Sequence, residues 1–206
     1  MIFSDGFGIR KTTRTVKRAV DMALSLLGFI LTMPFFPLMA VLIKIDSPGP
    51  VFYRQERVGR GGKLFTLVKF RSMRVNAESD CGPVWALEGD PRITRVGRFM
   101  RKTRIDELPQ FWNVLKGEMS FVGPRPERPY FVEELTKEIP YYSLRFALKP
   151  GITGWAQIKY RYGSNVKDAL EKLQYELHYV KNMSLFLDLR ILVSTVRVVL
   201  SKSGAR

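Results

Sequence analysis

The sequence predicts an α+β fold that is mostly helical: a re-entrant membrane helix near its start, a small β-hairpin after it, and amphipathic helices lying at a membrane interface. Three observations carry this prediction. The run from Met22 to Ile43 contains no charged residue. Beyond it, short apolar alternations flank a glycine-rich tip in VFYRQERVGRGGKLFTLVKF, the pattern of two strands and a turn. From Val166 the period is helical again, and LFLDLRILVSTVRVVL mixes apolar runs with Asp188, Arg190 and Arg197, which suits a helix lying in an interface. At 206 residues, the chain can bury one compact core beside a membrane element. The expected division is a basic leader or linker over 1–16, a helix-break-helix over 17–45, a globular domain over 46–183 and a C-terminal amphipathic helix over 184–206.

The apolar run would extend about 33 Å as a straight helix, against a hydrocarbon core of about 30 Å. It is too long for a secretory signal and no small-residue cleavage site follows it. Pro34 and Pro37 each remove a backbone donor, so the helix should break near Thr32-Met33-Pro34, with Thr32 rebonding a freed carbonyl. Basic residues flank both ends: Arg10, Lys11, Arg14, Lys17 and Arg18 before it, and Lys44, Arg54, Arg57 and Arg60 after it. By the positive-inside bias both ends are cytoplasmic, which favours re-entry over the alternative, a kinked single span.

The hairpin follows, with its tip near Gly61-Gly62 and seven basic residues against Glu56 between Val51 and Asn76. GRGGKL lacks the Walker spacing, which excludes a nucleotide-cradling loop of that type. Arg92, Arg95, Arg98 and Arg101 recur every three residues, a basic stripe if helical and a solvated face by default. The chain should pause at Thr103-Arg104-Ile105. A new helix then starts at Asp106, with Leu108, Phe111, Trp112 and Leu115 on its apolar side and Gly117 as its stop. Asp106 is a favoured N-cap there, and Glu107 suits the first turn. Gly123-Pro124-Arg125-Pro126 is a rigid turn able to aim a guanidinium at phosphate oxygens. KPGITGWAQ is a second turn-rich strip, in which Trp155 could stack a base or anchor at an interface.

The charge is lopsided, with 34 Lys+Arg against 19 Asp+Glu and a net charge of +15. Such a surface attracts nucleic acid, nucleotide phosphates or anionic lipid. A lone cysteine, Cys81, excludes an intramolecular disulfide, and the lone His178 has no partner at metal-ligand spacing, so it reads as a packing or surface residue.

The block DELPQFWNVLKGEMSFVGPRP, the KFRSM strip, PGITGWAQ and LHYVKNMSLFLDL, in order behind a basic-flanked hydrophobic helix, resemble the bacterial sugar transferase family, and within it the monotopic phosphoglycosyl transferases. The resemblance covers about residues 15 to 203. It implies that the 46–183 domain is catalytic and transfers a sugar 1-phosphate from a UDP-sugar to polyprenol phosphate, releasing UMP. It further implies that Asp106 is the nucleophile, that Glu107 supports metal binding, that the ion is Mg2+, and that Asp106 and Glu107 are its ligands. The resemblance also places Arg125 on phosphate, Lys69 and Arg101 in the active site, and Gln157, Arg161, Glu176 and Asp188 at motif positions associated with substrate. The family's helix often breaks at Ser-Pro, where this chain has Met33-Pro34 with Thr32 beside it. Localisation is expected at the cytoplasmic face of the bacterial inner membrane, with both termini cytoplasmic. IFSDGFGIRKTT resembles the junction before the catalytic domain in larger relatives, and KYRYGSNVKDALEKLQYEL resembles exopolysaccharide enzymes that load glucose phosphate. No nucleic-acid module accompanies the basic charge, so nucleic acid is not an expected partner. A non-catalytic scaffold would leave Asp106-Glu107 as cap and charge balance; the sugar and the oligomeric state stay open.

Overall fold

The computed structural model describes residues 11–79, 82–85, 89–160 and 165–200, so Cys81 and Arg161 lie outside the described residues. Its helices are α1 (Lys11–Thr32), α2 (Phe36–Asp46), α3 (Arg95–Thr103), α4 (Gln110–Lys116), α5 (Pro129–Glu138), α6 (Trp155–Lys159), α7 (Val166–Asn182) and α8 (Leu185–Leu200). The strands are β1 (Phe52–Val58), β2 (Leu64–Phe70), β3 (Ser120–Val122) and β4 (Gly151–Thr153). The chain is therefore mostly helical with one small antiparallel hairpin.

α1 begins by Lys11, so residues 11–16 are already helical. It ends at Thr32, and Met33–Phe35 makes one 3-10 turn before α2. The prolines are the cause, since neither can donate a backbone bond. Thr32 Oγ1 donates to the Gly28 carbonyl at 2.7 Å, an ordinary back-bond to its own i−4 carbonyl and not a bond to the Ile30 or Met33 carbonyl that the prolines leave without an i+4 donor. The outward side is apolar and exposed, including Leu27, Ile30, Leu31, Met33, Phe35 and Leu38.

The inward side of both arms docks on one body. On the α1 arm, Arg18 donates to the Val114 and Leu115 carbonyls at the end of α4, at 2.6 and 2.9 Å. Asp21 Oδ1 accepts from the Phe121 amide at 3.1 Å. On the α2 arm, Met39 and Ile43 pack with Phe70 of β2 and Met100 of α3, and Asp46 Oδ2 accepts from the Val96 amide at 2.8 Å.

β1 and β2 pair antiparallel, Phe52 opposite Phe70 and Val58 opposite Leu64, with Gly61 and Gly62 at positive φ in the tip. The outer edge of β2 is covered by a side chain. Asn113 of α4, fully buried, accepts from the Val68 amide at 3.1 Å and donates to the Thr66 carbonyl at 2.7 Å, doing what a third strand would do. β3 and β4 form a parallel pair, Ser120 opposite Gly151 and Val122 opposite Thr153. Behind it, Val122, Tyr179 and Ile191 join β3 to α7 and α8.

The arginine stripe is shorter than its spacing suggests. Thr94 caps α3 by accepting from the Gly97 amide at 3.0 Å, which leaves Arg92 ahead of the helix and paired to Asp90 at 2.6 Å. Trp155 is half-buried, with Lys159 and Arg190 over its ring and His178 stacked near it.

Candidate active site

Arg104 ends α3 in the left-handed region, φ 61°, and turns the chain into a single 3-10 turn over Ile105–Glu107. The N-cap expected at Asp106 does not form. Tight bonds run instead from Leu108 N to Ile105 O at 3.2 Å and from Phe111 N to Leu108 O at 3.1 Å, α4 starts only at Gln110, and Pro109, which would be the third residue of a helix capped by Asp106, offers no N–H for that carboxylate to accept. Neither carboxylate serves as a cap. The expected apolar side of α4 faces α1 instead: Phe111 lies against Gly28 and Trp112 near Phe29, while Gln110, Asn113 and Val114 are the buried positions.

Asp106 and Glu107 are each only 7% exposed. Glu107 Oε1 accepts from Arg125 Nη2 at 2.8 Å and Lys69 Nζ at 3.0 Å, with Arg104 Nη1 at 3.8 Å. Asp106 Oδ1 has no hydrogen-bond partner among the described residues. The electrostatics follow. Burial alone would raise the Glu107 carboxyl, but Lys69, Arg125 and Arg104 outweigh it and hold that carboxyl well below the usual range. Asp106 goes the other way: burial first, then the charge of Glu107, raise it above its ordinary 3.8, against Lys69, Arg101 and Arg104. One carboxylate is thus held ionised and clamped, and the other is desolvated with its Oδ1 unpartnered among the described residues.

The remaining candidates fall into three groups. Lys69 sits on β2, placed against Glu107 by the edge that Asn113 holds. Arg101 of α3 donates through Nε to Ser72 Oγ at 2.8 Å and adds positive potential at Asp106. Arg125 is aimed from behind by Glu176, whose Oε1 accepts from the Arg125 amide at 3.3 Å, and by Arg145, which donates to the Arg125 carbonyl at 2.7 Å. Arg145 and Glu176 are both buried and joined by two bonds, at 2.7 and 2.8 Å. Glu176 therefore holds the turn that carries Arg125. Gln157 donates to the Ile152 carbonyl at 3.2 Å and lines a cavity that Arg125 also borders. Asp188 belongs to a different network, accepting from Lys17 at 2.6 Å and from the Tyr179 hydroxyl at 2.6 Å, and it ties α8 to α1.

Glycines explain why two distant motifs are needed to make one turn. A Cβ on Gly151 would lie 2.1 Å from the Gly123 nitrogen, and one on Gly154 would lie 2.2 Å from the Gly123 oxygen. PGITG thus lets its backbone press directly on GPRP. Asn113 and Arg145 escape sequence reading: an asparagine in a short helix and an arginine in YYSLRFALKP look like surface residues until their partners are known.

Among the described residues there is no group of three or more His, Cys, Asp or Glu side chains that could hold an ion. The donor set is the acidic pair, including the unpartnered Asp106 oxygen. That set fits magnesium, which takes one or two carboxylates and completes its shell with water and substrate phosphates. It would not make a closed protein cage.

A buried carboxylate with one unpartnered oxygen beside lysine and arginine donors is an arrangement suited to phosphate-bearing groups. The family model for bacterial sugar transferase matches residues 12–202, and the chain belongs to that family. It is 47% identical over 93% of its length to the UDP-N-acetylgalactosamine-undecaprenyl-phosphate N-acetylgalactosaminephosphotransferase of Aeromonas hydrophila. It is 45% identical over 89% of its length to the UDP-glucose:undecaprenyl-phosphate glucose-1-phosphate transferase of Escherichia coli (strain K12). These matches span 45% and 40% of the two relatives, so the chain corresponds to less than half of each. A third relative, the exopolysaccharide production protein PSS of Rhizobium leguminosarum bv. phaseoli, is 41% identical over 88% of this chain and 93% of its own length.

Proposed function

We propose that this chain is a membrane-associated phosphoglycosyl transferase that moves a sugar 1-phosphate from a UDP-sugar to polyprenol (undecaprenyl) phosphate, in exopolysaccharide or other glycoconjugate assembly. The observation that carries the reading is Asp106, a buried carboxylate with an unpartnered oxygen beside a cation cluster. An Asp106 oxygen attacks the β-phosphorus of the donor. The bond from that phosphorus to the bridging oxygen breaks, and UMP leaves with the electron pair. The sugar phosphate is then an acyl phosphate on Asp106. A phosphate oxygen of the polyprenol phosphate attacks the same phosphorus, the bond to Asp106 breaks, and the carboxylate returns as polyprenol diphosphate sugar departs. Lys69 and Arg125, which hold Glu107 at rest, supply donors for the diphosphate oxygens, and Arg101 and Arg104 add positive potential. Mg2+ held by Asp106 and Glu107 would shield the charge of the diphosphate.

The membrane reading rests on the exposed apolar side of α1 and α2 and on their two arms returning to one domain. A straight span would carry one arm to the opposite face. We place the chain at the cytoplasmic face of the inner membrane, the break at Thr32-Met33-Pro34 marking its deepest point. The test is UMP release from UDP-sugars with polyprenol phosphate present, with mass spectrometry of the trapped phosphosugar adduct. An adduct at Asp106 is expected. Full activity in Asp106→Ala would overturn the covalent route.

A further inference from the structure

Next to Arg125 lies a cavity of about 100 Å³ that the transfer chemistry does not use. The Arg125 turn, α6 and α7 wall it in; Trp85, Tyr142 and Tyr160 give it rings, and Gln157 and Lys172 give it polar groups. An enclosed water needs about 10–15 Å³ on this kind of measure, so the space holds roughly seven waters or one substituted ring, and not a whole nucleotide sugar. Arg145 and Glu176 also border it, but they are engaged with each other and with the Arg125 backbone. Gln157 Oε1 is buried there with no hydrogen-bond partner among the described residues.

We infer that this cavity is the subsite for the sugar ring of the donor, with Gln157 and Lys172 reading its hydroxyls; the inference rests on the transferase reading above. Adjacency is the first reason. Arg125 borders the cavity and also touches Glu107, and the sugar is joined directly to the phosphorus that reacts, whereas the nucleoside lies beyond a second phosphate. Retention is the second. The sugar stays with the phosphorus through both half-reactions while UMP departs, so a walled cavity suits the part that remains. The third is chemical complementarity. A hydroxyl both donates and accepts, and an amide oxygen and an ammonium lining one cavity offer both complements, while the aromatic rings suit the C–H faces of a sugar.

The test fills the cavity and reads binding apart from turnover. Ala169 lines it on α7, where leucine is a good helix former, so Ala169→Leu reduces the space without breaking the helix. Lys172→Met is the second variant, in case the first does not fold. Each is made in the full chain, with and without Asp106→Asn, and titrated with UDP-glucose, UDP-N-acetylgalactosamine and UMP. We expect affinity for at least one UDP-sugar to fall about tenfold and the ratio between the two sugars to move by a similar factor. UMP affinity should stay within about twofold, which also reports that the variant is folded. Equal weakening of UMP and both UDP-sugars would make the cavity a nucleoside site, and unchanged affinity for all three would remove it from substrate binding. Both overturn the inference. Failure of the parent chain to release UMP from any UDP-sugar would instead count against the transferase reading, while the titrations still decide the cavity.

Discussion

An ionised carboxylate at Asp106 costs the fold free energy, because burial strips its water and Oδ1 has no partner among the described residues. Asp106→Asn keeps the shape and removes the charge. It should raise stability by about 1–2 kcal/mol, or roughly 2–8 °C in Tm, while transfer falls on the order of 10⁴-fold. Thermal unfolding and UMP release on one preparation check both halves. The pH dependence follows from the shifts. Asp106 titrates above 3.8 in the fold, so its contribution to stability is present at low pH and lost as pH rises through the raised value. Glu107 is depressed below 4.5, so its contribution is present above that value and lost as pH falls. The proposed attack needs Asp106 ionised; the acid limb of kcat/KM should therefore lie above the ordinary aspartate range. Lys69→Met removes the largest influence favouring the charged form and should move that limb to higher pH. A limb that stays in place would detach it from Asp106.

The parallel pair β3–β4 sets the position of Arg125, and its glycines make that measurable. Gly151→Ala must push backbone from backbone, at an expected cost of about 2–4 kcal/mol, with a raised KM for the UDP-sugar because the Arg125 turn shifts. Gly61→Ala at the hairpin tip meets no atom within 4 Å and bears only the positive-φ penalty, about 1–2 kcal/mol, with KM unchanged. Urea melts and steady-state kinetics separate the two. Elements with a long period are legible in the sequence: the apolar run and its proline break, the hairpin and its Gly61-Gly62 tip, and the amphipathic α7. β3 and β4 are not legible, because three residues show no alternation and their pairing joins positions 31 apart, Ser120 with Gly151. The cap expected at Asp106 fails for a local reason, the missing N–H of Pro109. Within the site, the nearness of Asp106, Glu107 and Arg125 is readable from one block of sequence. The support behind Arg125 is not, since Arg145 looks like a surface charge and the resemblance associates Glu176 with substrate, while their pairing behind the Arg125 turn is set only when α7 folds back.

At the scale of the whole molecule, a basic domain carries a broken apolar helix whose two arms both return to it. In a Cys81→Ser background, Lys11→Cys and Ile45→Cys should both react with a membrane-impermeant thiol reagent added to the cytoplasmic side of inverted vesicles, and neither should react from the other side. Ile45 is 78% exposed, so the α2 end is accessible to such a probe. Protection of one site only would mean a span. The returning arms also bear on bilayer thickness. A helix that crosses must match two interfaces and tilts or strains as the hydrocarbon thickens, whereas one that turns back has a single water boundary to satisfy. Reconstituted into bilayers of increasing acyl length, with headgroup and surface charge held constant, the enzyme should keep a steady turnover where a spanning relative would pass through an optimum. The acidic pair would then ride at a fixed height above the headgroups, where the proposed lipid acceptor is presented.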